Sequence, residues 1–382
     1  VGGGVRYSEA GDAVTRLCET HGVPFCETQA GKGTLPWNHP LNLGGIGVTG
    51  GQAANRIAPR ADLILAVGTR LSDFTTCSKW LFTENVKIAA INVCSFDAVK
   101  MDAEPIIADA REAMAALTAA LGDYRTAWGG EIEREISTWN EIVDDYTTRD
   151  DADGLTQTRA LGEINRFMSR GDIAVGSSGS LPGDMQRLWR SGERGTYHME
   201  YGFSNMGYET NGAVGVKLAC PDREVYAFFG DGAYLMAHSE LVTAVQEGLR
   251  AHFCLFDNSG WGCIESLQNN QGSDTFGTVF RRRNSETGEL DGDVLRIDYA
   301  QSAAGYGLKT YTIRTVEELR FALNDALTQP LPVLYDIKVK PGSFTPGFDN
   351  WWRVGVAEVS TQPRVCEAYE RLMDEVERTR DY

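Results

Sequence analysis

The residues best placed to do chemistry sit where an apolar run ends, in EVYAFFGDGAYLMAHSEL from Glu224 to Leu241. One carboxylate, Asp231, stands between Gly230 and Gly232, at the junction of a buried-strand pattern and a helical pattern. A strand here delivers Asp231 to the carboxyl end of a sheet. The flanking glycines let the backbone turn sharply and come close to a ligand. The helix read next, from Ala237 to Leu249, aims its first N–H groups at the same place, and helix N-termini attract phosphate. A carboxylate repels phosphate, and a divalent cation between them removes the conflict; Mg2+ typically takes one or two carboxylates plus phosphate oxygens. The following apolar run, AHFCLFDNSGWG, carries Asn258, 27 positions after Asp231 and one strand–helix–strand unit on. Its amide oxygen is a hard neutral ligand, and Gly260 is placed to present a backbone carbonyl. The expected metal set is Asp231, Asn258 and the Gly260 carbonyl, holding a cation that holds a diphosphate, with the Gly232 and Ala233 amides donating to phosphate. The bland alternative is an ordinary turn with a capping Asp. An Asn-x-Gly one unit later weighs against it.

Two series of short apolar runs must position these groups. VPFCET, ADLILAVG, VKIAAINV and EPIIAD form the first; DIAVGSS, EVYAFFGDG, AHFCLFDNSG and LPVLYDIKV form the second. Helical stretches such as Ala10 to His21 and Ala110 to Leu121 lie between them. This alternation predicts an α/β chain with two doubly wound parallel-sheet domains. The expected layout is a first α/β domain over 1–122, a linker helix over 123–153, the diphosphate- and Mg2+-binding α/β domain over 154–345, and a tail with a helix over 346–382. The opening VGGGVRYSEAGDAVTRL reads as a strand end, a glycine turn and a helix capped by Ser8. The first strand of that domain is therefore expected to be truncated, with sequence removed upstream.

Composition excludes several function classes. The 382 residues are 42% hydrophobic with a net charge of −17, which disfavours nucleic acid or an anionic membrane as partner. No apolar run reaches spanning length and no signal peptide is visible, so a cytoplasmic location is expected. The eight cysteines form no C-x-x-C pair and read as reduced thiols. His198 begins a His-x-Glu, but no C-x-x-C follows, so a deaminase-type zinc site is set aside. GIGVTG, Gly45 to Gly50, matches a dinucleotide fingerprint, yet HPLNLG before it does not read as a strand, and the motif is taken as a structural or interface loop. AGKGTLP lacks the Ser or Thr that a phosphate loop needs after Lys32.

The Gly-Asp-Gly and Asn spacing resembles the cofactor motif of thiamine-diphosphate-dependent enzymes. GFSNMGYETNGAVGVKLA, GSSGSLPGDM and ADLILAVGTRLSDFTT resemble segments of the acetolactate-synthase-like group. The resemblance implies thiamine diphosphate and Mg2+ as cofactors and a homodimer or homotetramer. It also implies that Met206 props the bent cofactor, and that Ser178 and Ser180 stand on the loop reaching its diphosphate and pyrimidine. It implies a further pyrimidine-binding domain, not matched here, whose glutamate assists catalysis, so that this chain alone is not expected to run the reaction. No catalytic residue is assigned within the chain. AGKGTLPWNHPLNLGGIGVTG, EYGFSNMGYE, MAHSELVTAVQEG and WWRVGVAEVS resemble, within the group, hydrolases that open the C–C ring of a cyclic dione to 5-deoxy-glucuronate in inositol catabolism. Two alternatives stay open: another carboligase or lyase of the group, and a cofactor-binding chain without catalysis. The first domain is read as structural, without FAD or ADP. Several residues keep double readings. His238 is a proton handler or a packing residue, and Cys263 and Glu265 line the substrate pocket or are structural. Trp261 covers the diphosphate or packs. Arg281 to Arg283 bind an acid or are solvated. The polar stretch Gly272 to Asp293 is expected to be a mobile active-site loop.

Overall fold

A computed structural model describes residues 1–381. In the second domain, β6 (Ile173–Gly176), β7 (Tyr197–Met199), β8 (Val225–Gly230), β9 (His252–Asp257), β10 (Lys309–Ile313) and β11 (Val333–Lys338) form one parallel sheet in the order β10-β11-β9-β8-β6-β7. All of β6 and β9 is buried, as a strand covered on both faces requires. Side chains alternate along β8. Tyr226 and Phe228 join one apolar cluster, and Val225, Ala227 and Phe229 join the other. A period of two thus feeds two cores, one under each helical layer.

The first domain holds two smaller parallel sheets. One pairs β1 (Phe25–Glu27) with β2 (Asn42–Gly45); the other runs β3 (Leu63–Val67), β4 (Lys87–Asn92), β5 (Glu104–Ile107). Val1 and Gly2 lie between them. The Val1 amine donates to the Cys26 carbonyl at 2.8 Å, Thr28 N–H to the Val1 carbonyl at 2.9 Å, and Gly2 N–H to the Val67 carbonyl at 2.8 Å. The chain then makes a short helix, Gly3–Tyr7, and the longer helix Gly11–His21 starts from Ala10. Ser8 closes the first helix instead of capping the second, because the extra turn shifts the start.

Three other expectations are corrected. β2, β7 and β10 were not foreseen; the first two are only four and three residues long. β2 places a strand directly before Gly45 to Gly50, and the helix Gln52–Ile57 follows, so the ground for discarding that motif fails although its interface reading stands. After Gly-Asp-Gly the helix begins at once, as Asp231–Ala237, then kinks through a 3-10 turn at His238–Glu240 into Leu241–Gln246. Gly230 is extended and Asp231 is the first helical residue, so the turn needs no intervening loop.

The linker forms a helix, Glu131–Thr148, that buries Ile132, Trp139 and Val143 against the first domain. The tail runs back over that domain, with Phe348 edge-on to Trp139 at 5.0 Å and Trp352 tilted on Phe74 at 4.8 Å. It ends in the helix Pro363–Val376. Among the described residues no helix is long and apolar enough to cross a membrane.

Candidate cofactor and metal site

Three neighbouring strands bring the site together. β6, β8 and β9 lie side by side and parallel. Their carboxyl ends therefore present Ser177–Ser180, Gly230–Ala233 and Asn258–Trp261 along one edge, where open α/β sheets hold ligands. Asp231 is fully buried. Its Oδ2 accepts the Gly260 N–H at 2.8 Å, whereas its Oδ1 has no partner. Asn258 Oδ1 is likewise buried and unpartnered. Buried oxygens normally find a donor, and leaving one without costs roughly 1–3 kcal/mol. Two such oxygens, from the two side chains expected to bind a cation, form an acceptor set without a donor. Ser259, next to Asn258, is held at φ +66 with its N–H on Asp257 Oδ1 at 2.8 Å. Strain of this kind gathers at functional sites.

The electrostatics agree. Burial first, and the adjacent Asp257 carboxylate second, push Asp231 well above the usual carboxylate range. Behind it, Lys338 Nζ reaches Asp257 Oδ2 at 2.6 Å, Asp336 Oδ2 at 2.8 Å and the Ile297 carbonyl at 3.0 Å. Lys338 is bonded to Asp257 and Asp336 and not to Asp231, and a divalent cation at Asp231 would favour its ionised form. Among the described residues no group of three or more His, Cys, Asp or Glu side chains is arranged for a metal. A cation here therefore draws on mixed donors: a carboxylate, an amide, a backbone carbonyl and a ligand's own oxygens. The residues present fit Mg2+ bound through a diphosphate.

Comparison with known proteins agrees with this geometry. Residues 1–117 match the central domain, and residues 177–337 the C-terminal TPP binding domain, of thiamine pyrophosphate enzymes. The chain belongs to the thiamine pyrophosphate enzymes. Proteins named 3D-(3,5/4)-trihydroxycyclohexane-1,2-dione hydrolase are 51% identical in Geobacillus thermodenitrificans, 46% in Clostridium tetani and 49% in Bacillus anthracis, each over 100% of this chain. The chain spans 63% of the length of these curated relatives.

Within the chain the other expected residues divide. Trp261 is brought to the site: a side chain at Gly232 would collide with its indole, which packs edge-on to Phe280 at 4.7 Å. Met206 is partly buried and packs against the apolar cluster that includes Ala233 and Tyr234. Ser178 donates its N–H and hydroxyl to Glu209 at 3.1 and 3.3 Å, and the Ser180 hydroxyl donates to Gln157 at 3.1 Å. His238 is carried away to the far end of the junction helix. There it stacks between Tyr234 and Tyr306 and bonds the Tyr306 hydroxyl at 2.9 Å, a packing arrangement. Cys263 and Glu265 share a helix, Gly262–Asn270, but residues two apart face different ways on a helix. Cys263 is half-buried, and burial raises its thiol pKa; Glu265 accepts the Thr275 hydroxyl at 3.0 Å. Arg281 to Arg283 are all exposed, and Arg281 donates to the Gly292 carbonyl. The stretch 280–295 folds back on itself through Arg282–Asp293 and Leu295–Phe280 backbone bonds.

Sequence reading missed two groups here. One is the Lys338 cluster, whose members lie on β9 and β11 and meet only through sheet order. The other is the pair Glu200 and Glu209, whose signal is visible as two acids on either side of Met206 in EYGFSNMGYE.

Proposed function

We propose that this chain is the Mg2+- and thiamine-diphosphate-binding portion of a hydrolase that opens 3D-(3,5/4)-trihydroxycyclohexane-1,2-dione to 5-deoxy-glucuronate. The observation that carries the reading is the pair of buried, unpartnered oxygens, Asp231 Oδ1 and Asn258 Oδ1, at adjacent strand ends. In this reading the two oxygens and the Gly260 carbonyl hold the cation. The amides of Gly232 and Ala233 donate to the diphosphate, and Trp261 shields it from water. Met206 supports the ring-bearing half, and Ser178 and Ser180 flank it. When bound, the cofactor supplies an electron sink for breaking a C–C bond beside a carbonyl; the protein supplies binding, orientation and water exclusion. The names of the relatives support the cyclic dione as substrate. A cytoplasmic location and assembly as a homodimer or homotetramer belong to the same reading. Phe203 (89% exposed) and Met236 (63% exposed) lie near Met206 and on the junction helix, and support a face covered by another copy.

Titration of the chain with thiamine diphosphate, followed by tryptophan fluorescence and calorimetry, tests the site. Saturable binding that needs Mg2+ and vanishes with chelator is expected, and its absence sinks the reading. In the protein isolated from its source, a ring-opened acid from one dione is the expected product. A ketol joined from two substrates would replace the hydrolase by a carboligase.

A further inference from the structure

Met206 and the Ser177–Ser180 loop come from separate parts of the chain, and two glutamates join them. Glu209 is fully buried. Its Oε2 accepts the Gly207 N–H at 2.8 Å, next to Met206, while its Oε1 accepts the Ser178 N–H and hydroxyl. Glu200 does the same from the other side. Its Oε1 accepts the N–H groups of Gly202 and Phe203 at 3.1 and 3.0 Å, and its Oε2 accepts the Asn205 N–H at 2.9 Å and the Ser177 hydroxyl at 3.4 Å. The Ser177 hydroxyl also reaches the Asn205 carbonyl at 2.8 Å, and the Ser204 hydroxyl reaches the Ser177 carbonyl at 3.3 Å. Between the two acids, Ser204 is held at φ +56, a conformation that a non-glycine residue keeps only where its surroundings impose it. Each carboxylate therefore bonds both segments. A buried carboxylate is costly unless several donors meet it, and all of these donors belong to the two segments that flank the expected cofactor.

We propose that Glu200 and Glu209 are positioning residues that lock Met206 and the serine loop into one cradle for the ring-bearing half of the cofactor. The cofactor part of this statement rests on the function proposed above; the coupling of the two segments does not. Because both Ser178 donors are taken up by Glu209, Ser178 acts through its position and not through a phosphate contact. Glutamine at 209 keeps the shape but sets an NH2 against an N–H, since an amide offers one acceptor atom where a carboxylate offers two.

Hydrogen exchange on the Glu209→Gln chain without cofactor tests the coupling. Amides of 177–180 and of 202–207 should both exchange about tenfold faster or more, with β9 unchanged. Faster exchange in only one segment would overturn the proposal. Binding supplies the second readout. Affinity for Mg2+ with thiamine diphosphate should fall about tenfold, while affinity for Mg2+ with inorganic pyrophosphate changes less than about twofold. Equal loss for both ligands would mean a merely structural role and would also overturn it. Glu200→Gln, at a less buried position, should repeat both patterns more weakly and covers the case in which Glu209→Gln does not fold. A wild-type chain that binds neither ligand would sink the function proposed above, while the exchange result still decides whether the glutamates couple the segments.

Discussion

Two glycine-rich turns, one in each domain, join a strand to a helix and look alike in sequence. In Gly45 to Gly50 the turn is filled by protein. Arg187 donates to the carbonyls of Val48 and Gly50, Thr49 donates to Gln186, and Asn55 bonds both the N–H and the carbonyl of Gly47. Arg187 and Gln186 come from the helix Leu181–Leu188 of the other domain. The motif is thus a socket for that helix. In Gly230 to Gly232 the turn keeps an acid whose outer oxygen meets nothing. Glycine spacing marks close approach of backbone to something. Whether that something is a helix or a ligand depends on which polar groups the protein itself satisfies.

The comparison can be broken most directly at Asp231. Asp231→Ala should lower affinity for Mg2+ with thiamine diphosphate by at least a thousandfold, on the order of 4 kcal/mol. It should leave the melting temperature of the cofactor-free chain unchanged or higher, since it removes a buried carboxyl oxygen that no donor meets. A melting temperature that drops as far as the affinity would erase the contrast between the two turns.

The amino end of the same sheet offers a satisfied control. His252 is buried, with Nδ1 on the Tyr335 hydroxyl at 2.8 Å and Nε2 on Glu224 at 2.9 Å, and burial holds its pKa down at about 3. The unfolded chain takes up this proton near the ordinary histidine value of about 6.5, and the folded chain only near the depressed value. The histidine therefore contributes its full stability above the unfolded value, and loses it as pH falls through the window down to about 3. Chemical denaturation should show a loss with a limiting slope of about 1.4 kcal/mol per pH unit in that window, reduced in His252→Gln. An identical slope in both proteins would remove His252 as the source.

Two smaller changes sharpen the socket side. Gly47 lies at φ +99, and a Cβ there would meet the Phe74 carbonyl. Gly47→Ala should destabilise the chain by on the order of 2 kcal/mol in a denaturant titration while leaving affinity for Mg2+ with pyrophosphate in the folded chain within about twofold. Thr49→Val, which removes one hydroxyl donor, should cost about 1 kcal/mol. Loss of pyrophosphate binding in either variant would give this turn a part in the ligand site.

Much of this was legible. Buried parallel strands advertise themselves as unbroken apolar runs, and β6, β8, β9 and β11 were read close to their true limits. Asp231, Asn258 and Trp261 were placed together because sheet order follows from one strand–helix–strand unit. What failed was of two kinds. Short strands such as NLGG and YHM carry no pattern long enough to see. Side-chain direction also depends on exact helix limits. With the junction helix starting at Asp231, His238 falls one helix-length from Asp231, and Cys263 and Glu265 part company around their own helix. Glu200 and Glu209 escaped for another reason. Their importance lies in a contact to a loop more than twenty residues upstream, which no local spacing announces.

The C-terminal helix has a bearing on how the molecule comes apart. At its start Arg364 pairs with Asp274 of the second domain, and near its end Glu375 accepts the Trp80 indole N–H at 2.8 Å. Beyond it Arg380 donates to the Val86 carbonyl of the first domain, also at 2.8 Å. A rod fixed at both ends to different bodies makes their denaturation concerted. Two α/β units that could each melt on their own should give one endotherm, with matching calorimetric and van't Hoff enthalpies, for as long as that rod stays seated.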